Sequence, residues 1–162
     1  MTGSPHRLRR LRLLTLGVLL GAAAVQAADS PSPAPAANDP LGAARSQIAS
    51  KDWAGALAEL RRVNDSASAN WNNLMGYTLR KQRTPDLDTA ERHYKEALRL
   101  DPKHRGAHEY IGELYLMRGD LKSAEGHLAA LDKLCLLPCE EYDDLKKAVA
   151  RFKANGNKHV PS

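Results

Sequence analysis

Cysteine is nearly absent from this chain: among 162 residues only Cys135 and Cys139 carry thiols. Their spacing is not the CxxC of thioredoxin-like dithiols and no strand pattern supports them, which argues against catalytic redox chemistry. A glycine-rich phosphate loop, a serine elbow and a zincin motif are all missing, so the reactions that need those residues at those spacings are not indicated. Beyond residue 25 no apolar run approaches the roughly 20 residues that cross a bilayer. Aromatic residues are only 5% of the chain and are not interleaved with basic ones in the way that stacks bases.

Charge of negative sign is missing from the beginning of the chain. Arg7, Arg9, Arg10 and Arg12 precede an apolar run over 13–25, and small residues follow around Ala27 and Ala28. This order reads as a secretory signal peptide over 1–27, cleaved after Ala27 or Ala28. Leu11 and Arg12 follow Arg9-Arg10 where the twin-arginine route favours an aromatic, so the general secretory route is expected. No cysteine stands near the cleavage point to take a lipid. The expected compartment is the periplasm of a Gram-negative bacterium, with no stable membrane span after cleavage.

Without those four arginines the chain's 24 basic groups fall to 20, against 19 acidic ones. The sequence pI of 9.3 therefore belongs mostly to the leader and is no argument for nucleic acid, which asks for a clustered basic face. Residues 28–40, with DSPSPAPAAND at their centre, have little to bury and read as a disordered linker.

The rest of the chain repeats itself. Gly76, Ala90, Tyr94, Ala97 and Pro102 recur as Gly112, Ala124, Leu128, Leu131 and Leu136, with an earlier partial copy at Ala56, Leu60, Val63 and Ser68. Ala56, Ala90 and Ala124 lie 34 residues apart, as do Leu60, Tyr94 and Leu128. Apolar residues around them have helical spacing. This pattern resembles the tetratricopeptide repeat, a helix-turn-helix that stacks on copies of itself.

The resemblance implies an all-α fold: a right-handed superhelical stack of about three helix-turn-helix units plus a C-terminal capping helix. The units are expected at 41–68, 69–104 and 105–138 and the capping helix at 139–153, within a domain over 41–154 followed by a flexible tail at 155–162. Helices are expected at 41–50, 53–63, 70–82, 87–100, 105–117, 121–134 and 139–153. Close helix approach needs small residues, so Gly76 is expected against Ala90 and Gly112 against Ala124. Met75, Leu79 and Tyr94, and in the next unit Ile111, Tyr115 and Leu128, should fill the space around these contacts. Pro102 ends a second helix because proline cannot continue one. The family's large aromatic in the first helix stands one residue early as Trp71, leaving Asn72 in its place and His108 in the next unit. The turn at 81–86 is longer than that at 118–120, so Gly76 to Gly112 spans 36 residues. On the capping helix Tyr142, Leu145, Val149 and Phe152 share one face.

The concave groove of such a stack is lined by first helices. Carrying the family's groove positions onto this chain selects Asn70, Asn73, Tyr77, Arg80 and Lys81, with Glu109, Glu113, Leu116 and Met117 from the third unit; Arg45 and Ile48 are the candidates in the first. Asparagine amides can pair with an extended backbone, Arg80 with a carboxylate, and Tyr77 offers an amphipathic surface. The lysine and asparagine arrangement of the family's clamp for chaperone carboxylates is not there. The implied function is non-catalytic, without cofactor: a protein or peptide-binding adaptor or assembly scaffold.

Other chemistry is open at this stage. An exported chain with two cysteines is expected to join them, Cys135 to Cys139, across Pro138. The alternative is a soft-metal site for copper or zinc from both thiols and a histidine. His104 and His108 have ligand spacing, but one lies in a turn and the other at a packing position, so no metal residues are assigned. Glu109 and Glu113 form a carboxylate pair of the sort usually found on solvated helix faces. Trp53 and Trp71 could pack a second copy, making a homo-oligomer the remaining alternative.

Overall fold

The structure, a computed structural model, describes residues 39–159. The expected signal peptide, nearly all of the expected linker and the last three residues lie outside the described residues. Seven helices fill the described part: α1 Gly42–Ala49, α2 Trp53–Val63, α3 Ala69–Lys81, α4 Leu87–Leu100, α5 Arg105–Met117, α6 Leu121–Leu134 and α7 Glu140–Ala154. Each bound falls within one residue of its expected place.

Local chemistry explains those bounds. Asp52, Ser68, Asp86 and Asp120 accept backbone N–H bonds from Gly55, Trp71, Thr89 and Ser123 at 3.0 to 3.2 Å, capping α2, α3, α4 and α6. Such a cap stabilises by about 1 kcal/mol. Helix α5 uses His104, whose Nδ1 accepts from the Ala107 N–H at 3.1 Å. Helix α7 has no side-chain cap; Glu140, Glu141 and Asp143 in its first turn complement the positive end of its dipole. Gly119 turns the chain between α5 and α6 with φ +79°, a conformation glycine adopts without a Cβ clash.

Helices α1 with α2, α3 with α4 and α5 with α6 pack as hairpins, each adjoining the next, and α7 lies against α5 and α6. This is an all-α helical repeat stack. One apolar cluster joins Leu41, Ala44, Leu60, Trp71, Met75, Leu79, Tyr94 and Ile111. A second joins Leu116, Leu131, Leu145, Val149 and Phe152, so α7 covers the end of the stack. Burying each of those α7 side chains is worth roughly 1.5 to 3 kcal/mol.

The glycine contacts differ from expectation. A Cβ on Gly76 would stand 2.7 Å from the Tyr94 ring, and one on Gly112 would stand 2.6 Å from Leu145. The nearest atoms are therefore those of Tyr94 and Leu145, and Ala90 and Ala124 are fully buried. Trp71 is 5% exposed and donates through Nε1 to the Leu60 carbonyl at 2.7 Å, so it ties α3 to α2 and offers no surface to a second copy. Trp53 is half-buried and packs edge-on against Tyr77, with centroids 6.0 Å apart.

Cys135 and Cys139 are joined as a disulfide, with Cα atoms 5.9 Å apart. The link ties the end of α6 to the start of α7. Neither sulfur is then a thiolate, so the soft-metal arrangement is not built in this state.

Candidate functional site

Helical spacing aims one stripe of α3 and one stripe of α5 at the same space. Asn73, Tyr77 and Lys81 follow each other at four-residue steps along α3, and Glu109 and Glu113 do so along α5 with Gly106 and Tyr110 beside them. Glu140, Glu141 and Asp144 approach from the first turns of α7. Together they bound a pocket of about 370 Å³. Five carboxyl groups and one lysine line it.

Arg80 lies in the protein interior and is 5% exposed. Its Nη2 pairs with Glu113 Oε2 at 2.7 Å and its Nε donates to the Tyr94 hydroxyl at 3.3 Å. Its guanidinium carbon is 5.5 and 5.6 Å from the ring centroids of Tyr77 and Tyr110, which are 4.6 Å apart. This cation is buried and ion-paired within the protein, so it is not free to meet a ligand carboxylate, contrary to the role expected of it. Burial alone would push its pKa down, but Tyr94 and Glu113 outweigh that and hold it above the ordinary arginine value.

Glu109 has no such partner. It is 8% exposed and forms no ion pair among the described residues. Burial, then the like charges of Glu113, Asp144 and Glu141, push its pKa up to about 8 against the opposing pull of Arg80. Asn73, 7% exposed, leaves its buried Oδ1 without a hydrogen-bond partner. Lys81 is shifted the other way: burial and the neighbouring Arg80 lower its pKa.

A family model described as tetratricopeptide repeat matches residues 85–134, which take in α4, α5 and α6. Residues 85–134 therefore belong to the tetratricopeptide-repeat family. No curated protein matches it. Tetratricopeptide-repeat domains mediate protein–protein interaction and are typically non-catalytic scaffolds. No helix among the described residues is long and apolar enough to cross a membrane.

Within this helical-repeat stack, five of the nine groove candidates meet at the pocket: Asn73, Tyr77, Lys81, Glu109 and Glu113. The other four do not. Arg80 is consumed internally. Leu116 is 2% exposed in the apolar core, because its place on α5 faces α6 and α7. Met117 ends α5 away from the pocket, and the exposed Asn70 accepts from His104 Nε2 at 3.0 Å. Sequence reasoning missed Tyr110, although its position one residue after Glu109 and three before Glu113 could have shown it. The carboxylates of α7 were not findable that way, since their role depends on how the capping helix docks.

His108 and His127 are engaged with each other inside the third hairpin. His108 Nε2 donates to the Pro102 carbonyl at 3.1 Å, so its Nδ1 accepts from His127 Nδ1–H at 2.9 Å. His127 stacks on Tyr115, and burial followed by the His108 charge lowers its pKa to about 4. No group of three or more His, Cys, Asp or Glu among the described residues could hold a metal ion. The disulfide loop displays Leu136 and Leu137, 95% and 79% exposed.

Proposed function

We propose that this tetratricopeptide-repeat protein is a non-catalytic adaptor or assembly scaffold of the periplasm that holds a peptide segment or partner protein in the groove between α3, α5 and α7. The observation that carries the reading is the pocket itself: a concave, polar space on α3, α5 and α7, where the buried Asn73 oxygen lacks a hydrogen-bond partner and the largely buried Glu109 forms no ion pair among the described residues. Unpaired buried polar groups cost about 1 to 3 kcal/mol, and a bound segment that supplied partners would recover that. The arginine-rich start with its apolar run supports export, and so does the disulfide, which persists in oxidising compartments.

Capture experiments test this. The full-length chain is immobilised beside a variant carrying Asn73→Ala and Lys81→Ala and another carrying Leu136→Ser and Leu137→Ser. Helicity is checked for all three by circular dichroism, and proteins retained from periplasmic extract are identified by mass spectrometry. The expected result is a partner held by the parent and the leucine variant and lost by the groove variant. Retention that depends on Leu136 and Leu137 and not on the groove would refute the site.

A further inference from the structure

The pocket is built for positive charge. Five carboxyl groups line it against the single Lys81; Glu113 pairs with the buried Arg80, Glu141 with Arg105 at 3.5 Å and Asp144 with the exposed Lys147 at 2.9 Å, while Glu109 and Glu140 form no ion pair among the described residues. Acidic side chains on a protein surface are commonly just solvated. Two independent facts separate this cluster from that case. Glu109 is nine-tenths buried and forms no ion pair among the described residues, so its ionised form is favoured only when a cation arrives beside it. Asn73 across the pocket is as buried and has an unpartnered oxygen acceptor, which asks for an N–H donor.

The spread of the carboxylates narrows the class of cation. No three of them approach closely enough to hold a metal ion, so the negative charge is distributed along the walls and not focused on a point. A distributed acidic wall with an aromatic pair at its floor suits an ammonium or guanidinium group on a long aliphatic stem, which can lay its methylenes against Tyr77 and Tyr110 while its N–H groups reach oxygen on several sides. Resting on the adaptor reading above, we propose that the pocket receives a lysine or arginine side chain presented by an extended segment of a partner protein. Glu109 supplies the charge together with Asp144, whose exposed Lys147 the incoming cation replaces, and Asn73 orients the donor.

Binding then has a proton signature. The groups facing Glu109 are Arg80 and Tyr77 from α3, Glu113 and Tyr110 from its own helix, and Glu141 and Asp144 from α7. Near neutral pH the empty pocket keeps the Glu109 carboxyl largely protonated, and an arriving cation favours its ionised form. Binding therefore releases a proton from Glu109 to solvent, and affinity climbs as pH rises toward about 8.

The test uses full-length chain and four fluorescent octapeptides in which alanine alternates with lysine, arginine, glutamine or glutamate. Anisotropy is read at about 50 and 300 mM salt, since screening weakens exposed charge pairs more than buried ones. The lysine and arginine peptides are expected to bind and the other two not to. Combining Glu109→Gln with Asp144→Asn should weaken binding about tenfold or more, while Glu125→Gln, away from the pocket, should leave it unchanged. Glu109→Gln alone should flatten the rise in affinity between about pH 6.5 and 8.5 and abolish proton release in calorimetry run in two buffers. Equal binding of all four peptides, or basic-peptide binding indifferent to Glu109 and Asp144, overturns the proposal. Capture of a partner that is lost with Asn73 and Lys81 but kept by the Glu109→Gln and Asp144→Asn variant also overturns it, while leaving the adaptor reading standing. Capture of nothing, with pH-linked binding of the basic peptides intact, overturns the adaptor reading instead.

Discussion

The second and third hairpins are built on one plan and differ in what they bury. In both, the fourth residue before the repeat's glycine reaches across to a histidine on the second helix: Asn72 accepts from His93 at 3.0 Å, and His108 accepts from His127 at 2.9 Å. Asn72 is also held by the Ser66 and Ser68 carbonyls, so the amide is fully engaged and does not titrate. Its counterpart is a second imidazole ring. Four residues after the glycine, α3 buries the guanidinium of Arg80 where α5 buries the aliphatic Leu116. The glycines diverge as well, since Gly76 receives Tyr94 of its own hairpin and Gly112 receives Leu145 of the capping helix. A repeat position thus specifies a space to be filled. What fills it depends on the neighbour that the stack provides.

The largest effect should come from making the second hairpin like the third at its buried cation. Arg80→Met leaves Glu113 without a cation beside the uncompensated Glu109 and removes the bond to the Tyr94 hydroxyl. A loss of about 3 kcal/mol is expected in urea unfolding, moderated because Glu113 is 26% exposed. Next come the glycines. Gly76→Ala drives a Cβ into a rigid, fully buried ring and should cost about 2 to 3 kcal/mol, whereas Gly112→Ala meets the flexible end of a leucine on a terminal helix and should cost about 1 kcal/mol. Equal costs would show that the two approaches are equally unyielding and remove this part of the contrast.

The pH limbs sharpen the comparison further. Glu109 has a folded pKa of about 8 against an ordinary 4.5, so the native state keeps a proton that the unfolded chain gives up, and stability falls as pH rises between those values. Glu109→Gln should be more stable than the parent at pH 8.5 by about 1 to 2 kcal/mol, after allowance for solvent screening, and little different near pH 4.5. His127 runs the other way. Its folded pKa of about 4 lies below the ordinary 6.5, so its contribution is complete above pH 6.5 and is lost as pH falls to 4. His127→Gln should reduce that acid loss by about 1 kcal/mol once screening is allowed for, and His93→Gln should shift it in the same direction, since burial and then Arg92 lower the His93 pKa. Thermal melts across the acid limb read both.

Helix bounds were legible in the sequence because caps and repeat period are local. Asp52, Ser68, Asp86 and Asp120 each precede a helix whose apolar spacing can be counted, and Gly119 marks a turn. The groove was half legible. The family's groove positions, carried onto this chain, select Asn73 with Tyr77 and Glu109 with Glu113, but the same carry-over placed Arg80 and Leu116 in the groove. Neighbouring positions on one helix differ in burial according to the helix packed across from them, and that information is not in the helix's own spacing.

The sequence by itself determined seven helices, their order and the helical-repeat character of the chain, since capping, propensity and periodicity act within one repeat. Tertiary structure alone decided that Arg80 is spent on Glu113 while Glu109 goes unpaired, that Leu145 fills the space over Gly112, and that the carboxylates of α7 complete the pocket. Those outcomes come from residues far apart in sequence whose distance is set by how helices pack. Charge and burial act through distance in space, so they are fixed only when the helices have docked.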